Sequence, residues 1–390
     1  MVTIKRIVLW ALIALLLVWH ADGLRKAKDA GMIPLYDFAE YWAASRIFLS
    51  GGNPYDPVEM LAIQRSIGWT DSKPIMMWNP PWTLPLLLPF AVLPYWNGRA
   101  LWFLLNLAAV LLCADWFWRQ FGGPGPRRWI SWIAPLLFIP VGTSLFLGQI
   151  SPLVFAGIAG FMWGLAKRRM ITAGAFTLLL ALKPHLLYLF WLFLILWIAK
   201  ERRWKVFVGA AASLLGSCLM VAAINPASFH NYYHSITSAS GPQVWQTPTW
   251  GVALIMLFPA AGSWVRFIPS AVGIMLAYWL WRSWQPGFDW LRQLPTILLL
   301  SVTTSSFTWM FDWVSLLPVV ILALFWFNLQ PRRLWWLLAA LVVMQPLLVF
   351  SPAVSHTNFF TIWLPPALWL MYWAGHRSQQ SVESADTVLP

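Results

Sequence analysis

The chain of 390 residues is 60% hydrophobic and only 10% charged, and its mean hydropathy is +0.66. Soluble proteins carry about 25% charged residues, so this composition excludes a water-soluble enzyme, and hydrophobic runs along the whole length predict a polytopic membrane protein. The net charge of +13 fits the positive bias of cytoplasmic loops, which argues against nucleic-acid binding.

A membrane-spanning helix needs about 20 apolar residues, and the sequence predicts an all-α bundle of about twelve such helices. In chain order they cover residues 7–22, 98–118, 129–147, 152–166, 170–182, 186–199, 206–224, 265–284, 294–310, 313–328, 334–350 and 359–374. No small-residue cleavage site follows the first run, so we expect a retained helix and not a signal peptide. Two short apolar segments, 82–93 and 251–260, are expected to be interfacial or re-entrant helices on the outer side.

Basic residues orient this bundle. With the N-terminus inside, most Lys and Arg residues fall in short cytoplasmic loops, as the positive-inside rule requires. Seven others collect in or beside one long outer loop, namely Arg25, Lys26, Lys28, Arg46, Arg65, Lys73 and Arg99. We therefore predict one transmembrane domain over 1–374 with extracytoplasmic loops at 23–97 and 225–264, the first containing juxtamembrane helices, and a polar, disordered cytoplasmic tail at 375–390.

Two carboxylates in the first outer loop are candidates for chemistry. Asp37 and Glu40 are three residues apart, which places both on one face of a helix. A carboxylate at the membrane surface, flanked by aromatic residues, can act as a general base on a sugar hydroxyl. The same pair is also typical of a helix N-terminus, where negative charge is favourable, and the spacing does not decide between the two interpretations.

Four further polar residues lie at predicted outer helix ends. Lys183 is either a snorkelling lysine or a cation that holds a phosphate, and Arg266 has the same two interpretations. Asp312 is costly if it faces lipid, so it either forms a structural salt bridge with a partner such as Lys183 or contacts substrate in a cavity. Gln149 either orients a hydroxyl group or caps a helix junction.

Several mechanisms are disfavoured because their motifs are missing from the sequence. It has no Gly-x-x-x-x-Gly-Lys-[Ser/Thr] loop for an ATP-driven pump and no His-Glu-x-x-His helix or Cys/His cluster for zinc. Its outer carboxylates form no Asp-x-Asp pair of the kind that binds a nucleotide sugar through a metal. A secondary transporter or a flippase for lipid-linked sugars remains the alternative, although charges at the outer helix ends and the lack of a visible repeat favour it less.

Read in order, the motifs resemble those of glycosyltransferase family 87. They are Asp37-Phe38-Ala39-Glu40-Tyr41, Gly51-Gly52-Asn53-Pro54-Tyr55, Asn79-Pro80-Pro81, Leu101-Trp102 with Asn106, Gly148-Gln149, Lys183-Pro184 and Phe311-Asp312. The resemblance covers approximately residues 33–317. It departs from the family pattern at Ser151 and Phe311, where many members have Asn and Tyr.

The resemblance implies a GT-C fold and transfer of a sugar, typically mannose, from a polyprenyl-phosphate donor to an extracytoplasmic lipid or glycan acceptor. It implies Asp37 as the general base and Lys183, with His185, as the contacts of the donor phosphate. It also implies that Gln149 and Asp312 line the cavity. Glu40, Tyr41, Asn79 and Arg266 complete the predicted substrate-binding set.

A lipid phosphate leaves without a nucleotide, so the reaction needs a base for the acceptor hydroxyl and a cation for the departing phosphate. In-line attack would invert the anomeric centre of the donor sugar. We expect no cofactor and no requirement for a divalent metal. The expected location is the plasma (inner) membrane, with both termini cytoplasmic and the active site extracytoplasmic.

Overall fold

Residues 35–238, 245–285, 287–328 and 358–386 are described by a computed structural model. Over these ranges the chain is helical and contains no β-strand, so the predicted all-α class is confirmed there. The α-helices are α1 (Asp37–Leu49), α2 (Pro57–Arg65), α3 (Leu84–Ala91), α4 (Tyr95–Gln120), α5 (Ile130–Leu137), α6 (Ile139–Leu147), α7 (Ser151–Ala166), α8 (Met170–Leu180), α9 (Tyr188–Glu201), α10 (Trp204–Ile224), α11 (Ala227–Thr237), α12 (Trp250–Leu257), α13 (Ile268–Ser283), α14 (Trp290–Thr304), α15 (Leu317–Asn328) and α16 (Leu364–Asp386).

Short 3₁₀ helices precede or connect several of these elements. They cover Pro81–Thr83, Gly125–Arg127, Pro259–Ala261, Ser263–Phe267, Met310–Leu316 and Asn358–Trp363. The segments at 82–93 and 251–260 are indeed short helices, as predicted. Their position relative to a membrane stays a prediction.

Four helical segments of the described ranges are long and apolar enough to cross a membrane, or five if one bent pair counts as a span. The four are Tyr95–Gln120, Trp204–Ile224, Ser263–Ser283 and Met310–Phe327. Most other predicted helices are present but shorter than a full span. Those predicted at 7–22 and 334–350 lie outside the described residues, so the prediction of about twelve spans is not confirmed.

Three predicted helices have different ends in the structure from those expected from the sequence. The helix predicted at 129–147 is two helices, α5 and α6, bent by 59°, because Pro140 cannot donate the helical hydrogen bond to Leu136. The helix predicted at 294–310 ends at Thr304, and the next helical turn begins at Met310. The tail expected to be disordered continues as α16 to Asp386, so that expectation was wrong for residues 375–386.

The chain forms two compact units. The described part of the first comprises residues 35–106, Leu145–Gln149 and Ser217–Ser238. Its core is aromatic: Trp102 is fully buried, and its ring centroid lies 5.9 Å from that of Phe38 and 5.0 Å from that of Phe90. Arg46 of α1 donates to the carbonyls of Ala91 and Leu93, at 2.9 and 3.3 Å, and thereby caps the C-terminus of α3.

The Gly51-to-Tyr55 motif ends α1 and begins the turn into α2. Gly51 has φ +78°, a conformation that side chains disfavour. A Cβ atom on Gly52 would collide with the carboxylate of Glu59. Asn225 Nδ2 donates to the Gly52 carbonyl at 2.8 Å, so the motif also anchors the segment that carries α11.

In the second unit, which comprises Leu107–Ser144, Ile150–Gly216 and the described residues beyond 244, α7 packs closely against α8 through glycines. A Cβ atom on Gly164 would lie 2.7 Å from the Cα of Ala173. Small residues at such positions let helix backbones approach, as is common in membrane proteins. The Met310–Leu316 turn packs against both α7 and α14.

One carboxylate of this unit, Asp115, forms ion pairs with two arginines near the end of α4. Asp115 is 3% exposed and pairs with Arg128 and, at 3.0 Å, with Arg119. It therefore ties the end of α4 to the turn that follows.

Large apolar side chains are exposed along α10 and α13. They include Phe207, Val208, Leu215, Leu219, Met220, Val272, Met275, Tyr278 and Trp279. Exposed apolar surface of this extent is unfavourable in water and is what a helix facing lipid presents. The membrane assignment thus agrees with the surface as well as with the composition.

Candidate functional site

In the first unit, α1 carries three of the predicted site residues. Asp37 is the first residue of the helix and is half-buried, whereas Glu40, in the same first turn, is only 7% exposed. The prediction that these two carboxylates share one helix is confirmed. Both lie where the partial positive charge of a helix N-terminus stabilises negative charge.

Tyr41 connects α1 to the turn after α6. Its hydroxyl donates to Oε1 of Gln149 at 3.2 Å, and both side chains are buried. The neighbouring Gly148 has φ +80°, and its carbonyl accepts a hydrogen bond from Nε1 of Trp102 at 2.8 Å. The Gly-Gln pair is therefore held by one side chain from α1 and one from α4.

Arg99 was missed as a site residue, because the sequence analysis grouped it with the cations of the outer loop. It is only 5% exposed, and its Nη2 donates to the carbonyls of Leu145 and Phe146 at 3.0 and 2.6 Å. Its charge interacts with that of Asp37. The sequence did contain a signal for this role, because Arg99 lies one turn into an apolar helix, four residues after Tyr95.

Asn79 is buried at 6% exposure, and its backbone carbonyl accepts a hydrogen bond from the Tyr55 hydroxyl at 3.1 Å. Burial raises the pKa of Tyr55 well above its usual value, and neighbouring Tyr232 raises it further. Tyr55 therefore remains a protonated donor at neutral pH. It fixes the backbone at Asn79 and does not exchange protons.

In the second unit, Lys183 and Asp312 form a buried ion pair. Nζ of Lys183 lies 2.6 Å from Oδ1 of Asp312, and Ser151 Oγ bridges the two, at 3.2 Å from Nζ and 2.8 Å from Oδ1. The other oxygen of Asp312 accepts the Trp309 N–H at 2.9 Å. Of the interpretations left open for these residues, the salt bridge is present.

The two departures from the family pattern both contact Lys183. Ser151 supplies the bridging hydroxyl, and the Phe311 ring lies 4.9 Å from Nζ of Lys183 in a cation–π geometry. These residues thus take part in holding the lysine. Lys183 is 8% exposed, so it does not snorkel into water.

His185 and Arg266 both contact Phe307. The guanidinium of Arg266 lies 4.6 Å from the Phe307 ring centroid, and the His185 ring lies 6.4 Å from it, edge to face. Arg266 also donates to the Trp245 carbonyl. His185 is exposed, and its charge interacts with those of Lys183 and Asp312, so it belongs to the surroundings of the ion pair.

The predicted site residues thus fall into two groups, Asp37, Glu40, Tyr41, Asn79 and Gln149 in the first unit, and Lys183, His185, Arg266 and Asp312 in the second. Over the described ranges, no three His, Cys, Asp or Glu side chains come together as a metal site would need. The chemistry these residues offer is that of carboxylates, amide and hydroxyl donors, and buried cations.

Apolar helices of membrane-spanning length, with carboxylates, amides and cations buried within each of the two units, indicate a membrane protein with buried polar groups. The family model of glycosyltransferase family 87 matches residues 78–311, more than half of the chain. The chain therefore belongs to glycosyltransferase family 87 and is a membrane glycosyltransferase, as the resemblance implied. Asp37, Glu40 and Tyr41 precede the matched residues. Searches of curated proteins and of solved structures found no match.

Proposed function

We propose that the protein transfers a sugar, mannose first among the candidates, from a polyprenyl-phosphate donor to an extracytoplasmic lipid or glycan acceptor. Asp37 is the general base that deprotonates the acceptor hydroxyl, and attack opposite the phosphate inverts the anomeric centre. The supporting observation is the placement of Asp37, half-buried at the start of α1 and one turn before the Tyr41–Gln149 hydrogen bond.

The other residues of the first unit bind substrate in this proposal. Glu40 and Tyr41 face the same side as Asp37 along α1, one turn further on. A carboxylate and an amide such as Gln149 accept and donate hydrogen bonds to sugar hydroxyls. Asn79 contributes a second amide.

In the second unit, Lys183 and His185 contact the donor phosphate, and Asp312 and Arg266 hold their surroundings. A lysine supplies a compact charge with three donors, which suits a phosphate oxygen. With this charge present, we propose that no divalent metal is needed. The whole chain acts as one enzyme of the plasma membrane, with residues 1–374 as its catalytic domain and with both termini cytoplasmic.

The test is a transfer assay in proteoliposomes with radiolabelled polyprenyl-phosphate-mannose as donor and a membrane lipid extract as acceptor. We expect the parent to transfer label with and without EDTA, and Asp37→Asn to lose at least 100-fold, in line with the effect of a general base. Asp56→Asn is the matched control, because Asp56 only caps α2 and Asn caps helices equally well.

Equal transfer by the parent and Asp37→Asn would reject Asp37 as the base, and Glu40→Gln would be tested next. A parent that fails with a panel of lipid-linked sugars but moves one of them across the bilayer would favour the flippase alternative. Loss of transfer in EDTA, restored by a divalent metal, would overturn the metal-independent mechanism.

A further inference from the structure

An arginine buried beside the proposed base has an unused donor. Arg99 extends from the start of the second turn of α4, and its Nη2 donates to two of the last carbonyls of α6. Its Nη1 is buried and has no hydrogen-bond partner among the described residues. A buried guanidinium is costly unless its charge is compensated, so the retention of Arg99 here requires a reason.

Packing fixes where this guanidinium lies. Its Cζ is 5.8 Å from the ring centroid of Phe38, the residue after Asp37. A Cβ atom on Gly148 would lie 3.0 Å from the same Cζ and 2.7 Å from the Cβ of Phe38. Glycine at 148 therefore makes room for the arginine directly against the first turn of α1.

The titratable groups around Asp37 come from α4 and from α1 itself. From α4, Tyr95 and Arg99 both interact electrostatically with Asp37. On α1 itself, Glu40 is one turn away and Arg46 lies at the opposite end, while α3 has no titratable side chain.

The charged groups of α2 are engaged locally. Glu59 accepts from the backbone N–H of Asn53, and Arg65 donates to the carbonyls of Trp69, Thr70 and Asp71. Arg99 is therefore a cation from a separate helix that packs against Phe38, next to the proposed base, and whose charge interacts with that of Asp37.

We infer that Arg99 is a positioning residue that keeps Asp37 ionised and holds the start of α1 in place for the acceptor. It does not itself contact the reacting atoms. The inference rests on the proposed role of Asp37 as base. A nearby positive charge favours the carboxylate over its protonated form, and the two backbone hydrogen bonds hold that charge in place. Glu40, the second carboxylate of the same helix turn, increases the need for such a cation, because two nearby carboxylates disfavour each other's ionisation.

The pH dependence of kcat/KM tests this, because a purely structural residue would not move it. In Arg99→Met, Asp37 is easier to protonate, so the acidic limb of the profile should move to higher pH by about one unit or more. Arg99→Lys keeps the positive charge but loses the forked donors of the guanidinium. The acidic limb of its pH profile should therefore stay near that of the parent, while kcat/KM falls. Trp102→Phe, which removes the hydrogen bond to Gly148 and part of a buried ring but no charge, should lower the rate without moving the acidic limb.

A second measurement does not need activity. Protein labelled with ¹³C at the aspartate carboxyls is titrated in nanodiscs, and the Asp37 resonance is assigned by its loss in Asp37→Asn. Its midpoint should rise in Arg99→Met and not in Arg99→Lys. An unchanged midpoint, or an unchanged acidic limb in an active Arg99→Met enzyme, would overturn the inference. Full transfer by Asp37→Asn would instead reject the proposed base, and the titration would still report whether Arg99 controls the carboxylate.

Discussion

At the scale of single residues, the buried ion pair of Lys183 and Asp312 should be strongly sensitive to substitution of either partner. With the side chains only 10% and 2% exposed, removal of one partner leaves the other charged in an apolar surrounding. Asp312→Ala should lower the free energy of unfolding by about 3–5 kcal/mol. Thermal or denaturant unfolding in detergent measures this loss.

The double variant Lys183→Met with Asp312→Leu separates stability from function. Replacement of a buried ion pair by apolar residues of similar size is often neutral or stabilising, so unfolding should return towards that of the parent. Transfer should not return, because the proposed phosphate contact is gone. A double variant as unstable as Asp312→Ala would show that the pair is not the cause of the loss.

The sequence alone identified candidate site residues where a charged residue is rare in its surroundings. Lys183 and Asp312 were recognised because charges are expensive in membranes, and their possible pairing was among the alternatives weighed. Arg99 was not recognised, because its meaning depends on Gly148 and on α6, which the sequence does not place beside it. The Tyr41–Gln149 hydrogen bond joins residues 108 positions apart and likewise required the fold.

At the scale of helices, the contact of α7 with α8 depends on the absence of a side chain at Gly164. Gly164→Ala would place a Cβ atom 2.7 Å from the backbone of Ala173, so the helices must separate, at a cost of about 1–3 kcal/mol in the free energy of unfolding. Unfolding measurements on the purified protein test this.

Gly216→Ala on α10 is the matched control. A Cβ atom there would meet nothing within 4 Å, and alanine is the better helix former by about 0.5–1 kcal/mol. The control should therefore be neutral or slightly stabilising. If both variants lost the same stability, close packing of α7 on α8 would not be the reason.

Helix positions followed from the apolar runs, because burial in membrane or core imposes them directly. Helix ends did not. The break between α5 and α6 at Phe138, and the end of α14 at Thr304, depend on local backbone geometry and on caps such as the Asp312 carboxylate, which accepts the Trp309 N–H. Pro140 was a visible signal for the first of these breaks.

At the scale of the whole molecule, the predicted orientation can be tested by labelling. In a background with Cys113 and Cys218 replaced by Ala, Val58→Cys on α2 should react with a membrane-impermeant maleimide in intact spheroplasts. Lys205→Cys at the start of α10 should react only after permeabilisation, because positive loops stay in the cytoplasm. Both positions are exposed in the structure, so burial does not explain a failure to react.

The opposite labelling pattern would invert the topology and place Asp37 in the cytoplasm, which is incompatible with an extracytoplasmic acceptor. The number of spans is open to the same method, since single cysteines in successive loops report each crossing. The sequence predicts about twelve crossings, whereas four or five segments of the described residues meet the criterion of length and hydropathy. Two of the predicted helices, at 7–22 and 334–350, lie outside the described residues, and several of the others are shorter than a full span.

The first unit is assembled from parts of the chain that are distant in sequence, and this determines when it can form during biosynthesis. Asn225 bonds to Gly52 across 173 positions, and Ser217 bonds to Trp82 across 135. At about 5–20 residues per second, the ribosome reaches Asn225 roughly 9–35 seconds after Gly52. Throughout that interval the Asp37 segment lacks partners that complete its unit, so the first unit cannot close until synthesis has passed Asn225.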